Sequence, residues 1–181
     1  MQKLETWEMT SLDWSFPGVG GATISPAEVN DLILAENDEQ ATSAYYAVAD
    51  VLCHNGWVYP CAVTVIRTIL AALPKCGLKA RGRCLALIAS AVVGEPAPGA
   101  GQVIEECLLE ARNATWYFIF GIQFDDVELA GLYADVLGCL GLRFEDLRHV
   151  AVKYLEMALT RELLWNDPIM IQNTIADLKS K

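Results

Sequence analysis

Apolar residues recur along this chain with the period of an α-helix. Leu129, Leu132, Tyr133, Val136, Leu137 and Leu140 fall at i, i+3, i+4, i+7, i+8 and i+11, which places them on one helix face. Leu147, Val150, Ala151, Tyr154, Leu155 and Ala158 repeat that template, and Ile104, Cys107, Leu108 and Ala111 give a shorter version. Ala41, Ala44, Tyr45, Val48 and Leu52 form another stripe, as do Ala62, Val65, Ile66, Ile69, Leu70 and Leu73. Start signals agree with the stripes. Ser25-Pro26-Ala27-Glu28 reads as a capping box with proline at the first helical position. Asp38, Asp125 and Asp167-Pro168 are further helix starts. Asn55-Gly56, Pro74 with Gly77, and the Pro/Gly stretch from Gly94 to Gly101 are stops.

These signals predict about eight helices, over 26–35, 38–54, 59–73, 79–93, 102–113, 126–141, 144–163 and 168–179. No stretch alternates with period two. Trp116-Tyr117-Phe118-Ile119-Phe120 has strand-like composition, but it stands alone and is expected to extend the fifth helix or form a packed loop. The class is all-α. Helix openers near 38, 79 and 126 recur at spacings of roughly 40 and 47 residues, the repeat length of HEAT and armadillo solenoids. The expected architecture is a HEAT-like α-solenoid of stacked antiparallel helix pairs, with a compact orthogonal bundle of the same helices as the alternative. One helical domain would span 25–181. Residues 1–24 would form a tail packing on it, with Trp7 and Trp14 capping the end of the stack.

The run Ala47-Val48-Ala49-Asp50-Val51-Leu52-Cys53-His54-Asn55-Gly56-Trp57-Val58-Tyr59-Pro60, continuing through Ala62-Val63 to Leu70, resembles the turn within a helix pair of small bacterial HEAT-like proteins. In those a helix ends in a His-x-Gly-x-Val-Tyr turn and the next opens on small residues and valines. The resemblance covers residues 38–93, about a third of the chain. Some proteins of this kind are immunity proteins that neutralise a secreted bacterial toxin, so the resemblance implies a HEAT-like fold and, as one use, toxin inhibition.

Composition narrows the function classes. The 181 residues are 54% hydrophobic and 20% charged, enough apolar mass for a continuous core and too much for a disordered chain. The net charge of −10 opposes nucleic-acid binding, which needs a basic surface. The longest uncharged apolar run without a turn, Cys84 to Val93, is about half a membrane span, so no membrane partner is expected. MQKLETWEMTSLDWSF places acids and tryptophans where a signal peptide would carry a basic start and an apolar run. The expectation is a cytoplasmic chain whose six cysteines are thiols, present as a monomer or weak homo-oligomer.

Little in the sequence points to catalysis. Asp146-x-x-His149 resembles half of a di-iron motif, but it occurs once and with aspartate in place of glutamate. The cysteines at 53, 61, 76, 84, 107 and 139 lack the tight pairs of a zinc site. Cys76 is flanked by Lys75, Lys79, Arg81 and Arg83, which could lower its pKa, yet the sequence brings no base to it. Gly18-Val19-Gly20-Gly21 follows no strand and lacks the lysine of a phosphate loop. No catalytic residue, metal or cofactor is therefore expected.

Charge placement is the strongest remaining signal. Residues 4–66 carry nine acids and no lysine or arginine. Solubility asks for acids but not for their concentration in one third of the chain. A docking surface for a basic protein does, because such a field steers encounter. The expected contact residues are Glu28, Asp31, Glu36, Asp38, Glu39 and Asp50 for charge, with Tyr46, Trp57 and Tyr59 as aromatic anchors. The most concrete version is an immunity protein that blocks a basic toxin domain such as a nuclease. A helical scaffold of a bacterial complex is the alternative, and a cysteine-dependent enzyme a further one. Trp116, Tyr117 and Phe124 beside Asp125, Asp126 and Glu128 form a second patch, whose aromatics are expected to be buried.

Overall fold

Ser25 starts its helix as the capping box requires: its hydroxyl accepts from the Glu28 amide at 3.4 Å, and the Glu28 carboxylate accepts from the Ser25 amide at 2.8 Å. A computed structural model describes residues 7–161 and 168–180, and in it the chain is mostly helical. The described residues form ten α-helices: α1 (Trp7–Ser11), α2 (Pro26–Ile33), α3 (Asp38–Leu52), α4 (Cys61–Ala72), α5 (Leu78–Val93), α6 (Val103–Asn113), α7 (Thr115–Phe124), α8 (Val127–Arg143), α9 (Glu145–Leu159) and α10 (Pro168–Ser180). The two beyond the expected eight are α1 and α7. The neighbours of the predicted caps do the capping: Asn37 rather than Asp38 accepts from the Gln40 amide at 2.9 Å, and Asp126 rather than Asp125 accepts from the Glu128 amide at 2.9 Å. The predicted start at Asp167 lies outside the described residues.

A small sheet interrupts the helices, contrary to the reading of Asn55-Gly56 as a plain helix stop. β1 (Cys53–His54) and β2 (Trp57–Val58) pair antiparallel, Cys53 with Val58 and His54 with Trp57. Asn55 and Gly56 both take positive φ, 51° and 81°, the conformation of a two-residue type I′ hairpin turn. β3 (Glu95–Pro96) adds parallel to β2, Trp57 opposite Glu95. The Glu95 and Ala97 amides donate to Gly56 and Val58 carbonyls at 2.9 Å, so Pro96 falls where no donor is needed. Gly94 permits this approach, since a Cβ there would meet Val58 Cγ2 at 2.5 Å.

The chain divides into two compact units between Glu110 and Ala111. In the first, α2 packs on α3, α4 and α5, and α3 on α5. Val29, Leu32, Val48, Leu52, Ile66, Ile69, Leu85 and Ile88 are fully buried there. The segment before α2 crosses this core: Met9 is buried, Thr64 Oγ1 donates to the Asp13 carbonyl at 3.0 Å, and the Cys61 amide donates to the Pro17 carbonyl at 3.4 Å. Trp14 is half-buried in it, whereas Trp7 stands 67% exposed.

In the second unit α7, α8, α9 and α10 pack on one another. The Leu129, Tyr133, Val136, Leu137 and Leu140 stripe of α8 is buried, as are Ala151, Leu155 and Ala158 of α9. The aromatic segment expected to extend the preceding helix or to form a loop is the separate helix α7. It buries Phe118, Gly121 and Ile122 at i, i+3 and i+4. Gly121 lets α7 rest on the Tyr133 ring, which a Cβ at that position would strike. The Tyr133 hydroxyl donates to Asp125 at 2.7 Å. No described helix is long and apolar enough to cross a membrane.

Candidate functional site

Four of the expected acids meet in one place. Glu28 and Asp31 lie one turn apart on α2, Glu36 sits in the connecting turn, and Glu39 is in the first turn of α3. They line an open groove of about 880 Å³ between the two helices. The Glu36 amide donates to Gln40 Oε1 at 3.0 Å, which ties the connecting turn to the start of α3. Small side chains make the room: Ser43, Ala44 and Ala47 face the groove from α3, and Leu34 adds an apolar wall. Among the described residues no lysine, arginine or histidine lines it. At the α2–α3 turn it adjoins a smaller depression of about 260 Å³ lined by Glu36, Lys75 and Lys79, so basic residues border one end.

The other expected residues separate from that cluster. Asp38 turns away from the groove toward α5, with Oδ1 3.7 Å from Arg83 Nη2. Arg83 also donates to Thr42 Oγ1 at 2.8 Å and lies 5.7 Å from the Tyr45 ring centre. A base distant in sequence thus offsets one acid of the base-free third. Tyr46 is 57% exposed and shares an outward face of α3 with Glu39, Ser43 and Asp50, spaced i, i+4, i+7 and i+11, all exposed. Trp57 is 39% exposed on β2, and Tyr59, half-buried, follows it with its amide bound to the Leu52 carbonyl at 3.1 Å. Neither lines the groove. The sequence reading missed Ser43, Ala44 and Ala47, whose small size was the available signal for a groove.

Burial disfavours the thiolate at three of the cysteines. Burial pushes Cys53 up to about 12, Cys61 to about 11 and Cys107 to about 12. Cys76 moves the other way, because the Cys84 thiol hydrogen-bonds to it, and the Arg81 guanidinium adds to the effect against burial. Yet Cys76 is only 2% exposed, and its thiol also reaches the Ala72 carbonyl at 3.5 Å. His54 is exposed on β1, and His149 is exposed on α9. Asp146 is held by Arg112 at 2.7 Å. Among the described residues no group of three or more His, Cys, Asp or Glu side chains could hold a metal ion.

The second patch differs from its expectation. Trp116 and Phe124, expected inside, are 66% and 68% exposed, and Phe120 between them is 52% exposed. Tyr117 is the half-buried member, its ring 5.9 Å from that of Tyr133. No protein-family model, no curated protein and no solved structure matches the chain.

Proposed function

We propose that this chain is a protein-binding module whose α2–α3 groove receives a basic segment of another protein. In its most concrete form it is an immunity protein that neutralises a basic toxin domain, such as a nuclease, by direct binding. The observation that carries the reading is the convergence of Glu28, Asp31, Glu36 and Glu39 on one groove with an apolar wall and no base among its described lining residues. A nuclease presents positive charge to hold phosphates, and an acidic cleft can occupy such a surface in their place. Tyr46 and Asp50, continuing from Glu39 along α3, extend the contact beyond the cleft. The HEAT-like stacking belongs to the same proposal. It is supported by the short turns that join α2 to α3 and α8 to α9.

The test is capture of host proteins by the tagged chain, washed at low and then high salt. The expected result is a basic partner, retained at low salt and released at high salt, that is lost by a chain carrying Asp31→Lys, Glu36→Lys and Glu39→Lys. Asp38→Lys, outside the groove, should retain most of the capture. A partner that survives the triple reversal in a chain of native circular dichroism would overturn the groove as the docking surface. A captured partner that is toxic alone and harmless with this chain would establish the immunity form.

A further inference from the structure

We propose that Cys76 and Cys84 form a peroxide-reactive dithiol, in which hydrogen peroxide oxidises Cys76 and Cys84 then closes an intramolecular disulfide with it. Cys76 lies just before α5, and Cys84 lies in the second turn of that helix. The two thiols are in contact: the Cys84 S–H donates to the Cys76 sulfur, and Cys76 Sγ donates in turn to the Ala72 carbonyl at 3.5 Å. A carbonyl oxygen only accepts, so the Cys76 proton points to Ala72 and its sulfur lone pairs are left for Cys84. Arg81, also on α5, donates to the Cys76 carbonyl at 2.7 Å and so brings a guanidinium to the residue. Sulfurs already in hydrogen-bond contact need only approach to the roughly 2.05 Å of a disulfide.

The pair differs from the remaining cysteines. The thiolate is the form that attacks a peroxide, and burial holds Cys53, Cys61, Cys107 and Cys139 in the protonated form. At Cys76 the hydrogen bond from Cys84 and the guanidinium favour the thiolate against burial. Cys84, fully buried and donating its proton, is suited to the second step rather than the first. Cys76 is 2% exposed, but Pro74, Lys75 and Gly77 around it are exposed, so it lies directly beneath a surface turn. Hydrogen peroxide is little larger than water and needs only a small opening there.

The chemistry balances in two steps. Cys76 gives its proton to water, and its sulfur attacks one peroxide oxygen. The O–O bond breaks, and the departing hydroxide takes up a proton as water, leaving Cys76 as sulfenic acid. The Cys84 sulfur then attacks the Cys76 sulfur. The S–O bond breaks, and hydroxide leaves with the Cys84 proton as a second water. Two thiols lose two electrons, and one peroxide is reduced to two waters.

The test is treatment of the folded chain with equimolar hydrogen peroxide, followed by intact mass and tryptic mapping without reductant. The mass should fall by two hydrogens and return with dithiothreitol. Trypsin cuts between the cysteines at Lys79, Arg81 and Arg83, so a joined pair of peptides identifies the bond. The link should form at least tenfold faster than any oxidation of Cys53, Cys61, Cys107 or Cys139. Cys84→Ala should stop at the sulfenic acid, which dimedone traps on Cys76, and Cys76→Ser should trap none at either position. Circular dichroism checks that both variants are folded, and the mapping of the unaltered chain stands without them. An unchanged mass would overturn the proposal. So would a link between other cysteines, a link that forms only in urea, or dimedone trapping at Cys84 in folded Cys76→Ser.

Discussion

Helix α3 presents Glu39, Ser43, Tyr46 and Asp50 to solvent, whereas α7 presents Trp116, Phe120 and Phe124. Both helices bury an apolar stripe: Ala41, Val48 and Leu52 in the first, Phe118 and Ile122 in the second. The buried sides follow one rule, removal of apolar surface from water. The outward sides do not. On α3 polar residues keep the open face wet, and the docking proposed for it would work by charge against competing water. On α7 the open face is itself apolar, and covering it is favourable whatever the salt concentration. One chain thus carries two kinds of surface, and salt should weaken contact through the first but not through the second.

The largest expected effect lies within α7. Phe118→Ala should lower unfolding stability by about 3–5 kcal/mol through lost burial and a cavity. Phe120→Ala, two residues on, should change it by less than about 0.5 kcal/mol in dilute solution. Denaturant titration of the two variants measures both, and equal losses would mean that α7 has no open side.

Alkaline pH comes next. Cys53, Cys61 and Cys107 in the first unit, and Cys139 in the second, are held at about 11 to 12 when folded, against 9.0 for an unperturbed thiol. Groups raised in the folded state contribute stability fully below the unfolded pKa, and that stability is lost as pH rises through the folded value. The melting temperature should therefore be steady below pH 9 and fall between pH 9 and 12. A flat calorimetric profile across that window would contradict the buried placement of these thiols, three of which belong to the first unit.

The smallest effect separates two neighbours at the start of α3. Asn37→Ala removes the cap of the Gln40 amide and should cost about 0.5–2 kcal/mol. Asp38→Asn loosens only an exposed pair with Arg83, worth about 0–1 kcal/mol. Thermal melts that rank Asp38 above Asn37 would show that charge, not capping, holds this end of the helix.

The apolar stripes at 129–140 and 147–158 were readable in the chain because each one is local. A helix needs only its own 3.6-residue period, and burial then follows from whatever packs against it. The hairpin at Asn55-Gly56 was not read, although Asn-Gly is a strong turn signal. Its strands are only two residues long and lie between two strongly helical stretches, and β3 arrives from far along the sequence. Trp116 to Phe120 misled in another way. Strand-like composition yields to helix when one turn of apolar residues finds a core, as Phe118, Gly121 and Ile122 do. Within the acidic third, Asp38 and Glu39 are adjacent in sequence yet about 100° apart around the helix. One therefore meets Arg83 and the other the groove.

The sequence by itself determined a mostly helical chain, the positions of most helices, and an excess of acid in its first third. Those properties are local or additive: period, cap and charge count depend on a few consecutive residues or on a sum. Only the tertiary structure decided that Glu28, Asp31, Glu36 and Glu39 share a groove, that Arg83 pairs with Asp38, and that Trp116, Phe120 and Phe124 remain outside. Each of these depends on which face of a helix meets which neighbour. That is settled by packing between residues distant in the chain, for which no local pattern carries the information.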